Sequence, residues 1–69
     1  MTRTLDDFER RYVDIMVLPP SDERDVLLAG LMYELDLFFD IPYFHDPVWI
    51  EKNGDVWDLY ERVSSSRRL

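Results

Sequence analysis

Residues 22–40, DERDVLLAGLMYELDLFFD, are the longest apolar-rich run in the chain, and they lie between Pro19-Pro20 and Pro42. A proline lacks a backbone donor and biases the residue before it away from the α conformation. The run therefore reads as one helix with an enforced stop on each side. Projected at about 100° per residue, Leu27, Leu28, Leu31, Leu35, Phe38 and Phe39 share a broad face with Met32 at its edge. This is the expected core face, with Leu31 and Phe38 at its centre. Asp25, Asp36 and Asp40 fall with Ala29 on the opposite side, an acidic strip suited to water. Val26, Gly30, Tyr33 and Leu37 form a second, narrower apolar stripe. A helix with two apolar sides needs two neighbours. Glu34, between the broad face and the stripe, is the carboxylate of this helix expected to be partly desolvated. Gly30 costs about 1 kcal/mol relative to alanine in a helix interior, which suits a place where another backbone approaches closely.

The rest of the chain supplies candidates for those neighbours. Thr4 and Asp7 have the spacing of a capping box, with Asp6 adding favourable charge in the first turn. They open a helix over about 5–17 whose Leu5, Phe8, Tyr12, Ile15 and Met16 share one face, with Asp7, Arg10, Arg11 and Asp14 turned away. Leu18-Pro19-Pro20 ends it, and Ser21 caps the central helix over about 22–40. So short a connection implies an antiparallel pair. The segment IPYFHDPVW is an aromatic connector in which Asp46 and Pro47 read as N-cap and first residue of a short helix over 47–52. Asn53-Gly54 fits either a helix break or a hairpin turn. Val56, Leu59, Tyr60 and Val63 continue at helical spacing, which favours a helix over about 56–65 capped by Asp55. Residues 66–69 are expected to fray. The fold expected is all-α, a small compact bundle of three principal helices plus a short helical turn in one small domain.

Composition narrows the function classes. A chain of 69 residues without cysteine has no disulfide or thiolate zinc site to reinforce a small core, which raises the weight of an oligomer interface. The net charge of −7 argues against direct binding of nucleic acid or anionic membrane, since both need a basic surface. The charge is uneven: −1 over residues 1–18, −8 over 19–58 and +2 over 59–69. No apolar run approaches the roughly 18 residues of a membrane span, and MTRTLDDFERR has no apolar signal core, so a cytoplasmic protein is expected.

Signatures of catalysis and cofactor binding are weak. Two glycines, Gly30 and Gly54, cannot build a phosphate-cradling loop. The one histidine, His45, could join Asp46, Glu34 or Asp40 around a metal, but first-row metal sites usually repeat histidine at fixed spacing. Ser64, Ser65 and Ser66 sit at a basic helix end with no base nearby, and Asp6-Asp7 are explained by the helix start. No enzyme, cofactor or metal is expected. The remaining unusual feature is aromatic: Tyr43, Phe44, Trp49, Trp57 and Tyr60 crowd the second half. They could close the bottom of the bundle, or some could stay near the surface as binding anchors within an acidic rim.

The sequence thus points to a non-catalytic, protein-binding module that regulates, inhibits or neutralises a partner with a basic surface. Its candidate binding residues are Asp25, Asp36, Asp40, Tyr43, Phe44, Trp49 and Trp57. Acidic helical mimics of DNA are a special case, although nothing here fixes a phosphate-like spacing of carboxylates. The alternative is a homo-oligomeric structural or assembly module, a dimer through Val26, Gly30, Tyr33 and Leu37. The dimer becomes the natural solution if the last helix joins the first on the broad face and leaves the stripe uncovered.

Overall fold

The computed structural model describes residues 5–67. Four helices, α1 (Leu5–Met16), α2 (Asp22–Phe39), α3 (Pro47–Lys52) and α4 (Gly54–Ser65), follow one another with no strand among the described residues. The protein is an all-α bundle of three longer helices and one short one.

Local chemistry sets the helix ends. Ser21 is extended and its hydroxyl accepts the Arg24 N–H at 3.1 Å, while Asp22, Glu23 and Asp25 place negative charge in the first turn of α2. Arg24 also donates to the Leu18 carbonyl at 3.3 Å, which ties the proline connection to α2. Asp46 caps α3 by accepting from the Val48 and Trp49 N–H groups at 3.1 and 3.2 Å, with Pro47 at the first helical position. Asp40 closes α2 in the left-handed conformation at φ 53°, and the Ile41 N–H reaches back to the Asp36 carbonyl at 3.2 Å. That turn drives Ile41 into the core.

Some boundaries differ from those read in the sequence. α1 stops at Met16, one residue early, and Val17 is exposed in the turn. α4 begins at Gly54, so Asp55 lies inside its first turn and Asn53 alone joins α3 to α4. The Asn53 N–H donates back to Trp49, and its carbonyl accepts from the Trp57 N–H, both at 2.9 Å. One residue thus ends one helix and starts the next. Thr4, Arg68 and Leu69 lie outside the described residues. Ser66 is not a frayed end, because its hydroxyl donates to the Arg62 carbonyl at 2.8 Å and lies 2.6 Å from the Tyr12 hydroxyl.

The core comes from three helices and one loop: Phe8 of α1, Leu28, Leu31 and Leu35 of α2, Val56, Leu59 and Val63 of α4, and Ile41. Burying each leucine is worth about 1.5–3 kcal/mol. Phe8 meets Phe38 and Phe39, and Arg11 meets Glu34, so α1 runs antiparallel to α2. Arg67 reaches Met32, and Tyr60 faces the Asp36–Phe39 end, so α4 is also antiparallel to α2. Arg62 reaches Glu9 at 3.0 Å, which with the Tyr12–Ser66 contact makes α1 and α4 parallel neighbours. Both stand on the same side of α2. The shortest dimension of the molecule is 16 Å, enough for two helix layers spaced about 10 Å apart and no third.

This arrangement turns α2 about its axis relative to the expected phase. Its buried arc is Asp25, Leu28, Leu31 and Leu35, flanked by the partly buried Met32 and Phe39, because α4 occupies that side. Asp25, expected on the acidic strip, is only 8% exposed, whereas Leu27 and Phe38, expected in the core, are 42% and 46% exposed. Phe38 still packs at the edge, its ring 5.6 Å from Phe8 and 4.9 Å from Phe39.

Candidate functional site

The connector after α2 folds across the end of the bundle and leaves an open cleft of about 930 Å³. Asp36, Phe39 and Asp40 line it from α2, Ile41, Pro42 and Tyr43 from the connector, Trp49 from α3 and Tyr60 from α4. The left-handed turn at Asp40 ends α2 and starts the connector, and Asp40 itself lines the cleft. Of the candidate binding residues, the fold brings together Asp36, Asp40, Tyr43 and Trp49. Phe39 and Tyr60, whose helical spacing predicts packing residues, do pack against the core and also line the cleft.

The other candidates lie elsewhere. Asp25 is withdrawn from solvent beside the core and cannot belong to an acidic recognition strip. Phe44 is exposed but does not line the cleft. Trp57 is the hub of a ring cluster that docks α3 on α4: it stacks on Tyr60 at 5.7 Å and meets Trp49 and His45 edge-on at 6.3 and 6.2 Å. The aromatic group is therefore divided. Trp57, Trp49 and Tyr60 are partly buried against the core, Trp57 lining a separate hollow beside Tyr12 and Arg62 while Trp49 and Tyr60 line the cleft, and Tyr43 is fully exposed.

The second apolar stripe faces outward. Val26, Tyr33 and Leu37 are 70%, 65% and 65% exposed. A methyl group added at Gly30 would find nothing within 4 Å, so the close backbone approach expected from the sequence is absent among the described residues. Beside the stripe, Phe8, Glu34, Leu37 and Phe38 enclose a shallow hollow of about 330 Å³. Glu34 is partly buried and takes a two-pronged hydrogen bond from Arg11, which bridges α1 and α2 although its position had been read as solvent-facing. That bond raises the Arg11 pKa above its ordinary value, against the opposing effect of desolvation.

Asp46 is occupied as a cap and His45 as an edge-on ring partner. Among the described residues, no group of three or more His, Asp and Glu is placed to hold a metal ion. Nor is any helix among them long and apolar enough to cross a membrane. Comparison with protein-family models, curated proteins and solved structures found no significant match to the chain.

Proposed function

We propose that the protein is a non-catalytic binding module of the cytoplasm that captures a basic segment of a protein partner and thereby regulates, inhibits or neutralises it. The observation that supports this reading is the cleft in which the Asp36 and Asp40 carboxylates border Tyr43, Trp49 and Tyr60. A lysine or arginine side chain there meets two negative charges and aromatic faces that attract cations. Four of the eight lining residues are aromatic and two are acidic, a composition suited to holding a cationic side chain. Self-association through Val26, Gly30, Tyr33 and Leu37 is the alternative; the exposure of the stripe favours it and the acids around it oppose it.

The test is titration with a short arginine-rich peptide, followed by tryptophan fluorescence at several salt concentrations. Affinity should fall as salt rises, and Asp36→Asn with Asp40→Asn should weaken both the binding and its salt dependence. Binding that ignores ionic strength and these two substitutions would remove the reading.

A further inference from the structure

The uncovered side of α2 invites an occupant, and its borders say which kind. Asp22 and Glu23 flank the stripe at one end of α2, and Asp36 and Asp40 at the other. The one base of α2, Arg24, is half-buried and holds the Leu18 carbonyl. A second copy would lay this acid-bordered face against itself, each chain bringing a net charge of −7. A helix with an apolar stripe and basic flanks reverses that repulsion. Gly30 leaves room for close approach at the middle of the stripe, and the hollow beside Leu37 and Phe38 can accept one apolar side chain. Asp36 and Asp40 also border the end cleft, so the two surfaces are continuous.

We infer that the outer face of α2 docks a cationic amphipathic helix of the partner, laid along Val26, Gly30, Tyr33 and Leu37 with its basic residues over the flanking acids. The inference rests on the proposed capture of a basic partner and adds the shape of what is captured.

The probe is a synthetic helix as long as α2, with leucine along one stripe and lysine elsewhere, compared with a peptide of the same composition whose leucines are scattered. The striped peptide should bind the full chain about tenfold more tightly than the scattered one. Leu37→Gln and Tyr33→Gln should each remove about that factor, as expected when one large apolar contact is lost. Both positions are exposed, and circular dichroism melts verify that the variants fold. Equal binding of the two peptides, lost only in Asp36→Asn and Asp40→Asn, would overturn the docked helix and leave the acidic cleft standing. If neither peptide binds, both the docked helix and the acidic cleft are overturned. A wild-type dimer in sedimentation equilibrium that Leu37→Gln dissociates would give the face to a second copy and overturn the inference.

Discussion

The two sides of α2 are built from similar residues and meet opposite surroundings. On the inner side Leu28, Leu31 and Leu35 are fully buried between α1 and α4; on the outer side Val26, Tyr33 and Leu37 keep about two thirds of their surface in water. The difference teaches that apolar content placed α2 at the centre of the bundle without deciding which side would be covered. That decision came from α1 and α4, which bring their own apolar faces and also hold each other through Arg62–Glu9 and Tyr12–Ser66. A neighbour on the outer face would have forgone those contacts.

Substitutions on the two sides should therefore give very different responses in denaturant titrations. Leu31→Ala, at the centre of the buried side, should cost about 2–5 kcal/mol; a loss near zero would mean that the inner face is misassigned. Phe38→Ala should cost less, about 1–2 kcal/mol, because the ring keeps only its edge contacts with Phe8 and Phe39. Gly30→Ala should raise stability by up to about 1 kcal/mol, since the helix gains propensity and the added methyl meets nothing. A loss there would show that something already lies against the outer face. Arg11→Ala should cost about 0.2–1 kcal/mol, because both partners of the Arg11–Glu34 pair keep over a third of their surface in water. The raised Arg11 pKa means that this contribution is present below the ordinary arginine range and lost only as pH climbs through it, so Arg11 does not titrate near neutrality. Smallest of all, Leu37→Gln should leave stability within about 0.5 kcal/mol of wild type.

What the sequence made legible divides along the same line. Ser21, the prolines and the Asp46-Pro47 pair act on their own backbone, so their helix ends could be read without knowing any neighbour. The faces of α1 and α4 were legible too, each having a single apolar side. α2 was not, because with apolar residues around most of its circumference its phase depends on where other helices land. Exchanging Leu27 and Phe38 for Asp25 at the margin of the buried arc requires only a modest rotation. The cleft was half legible. Its acids and three of its rings, Tyr43, Trp49 and Tyr60, stood out as an unusual mixture, whereas Phe39 joins them beside the turn at Asp40, which leaves no periodic signal.

Asp40 sits where two demands disagree. Its backbone, at φ 53°, favours glycine or asparagine, while its carboxylate borders the cleft. In a library randomised at this codon, selection for heat resistance should enrich glycine and asparagine, and selection for capture of a basic peptide should restore aspartate. Position 40 would then record which pressure a population had experienced.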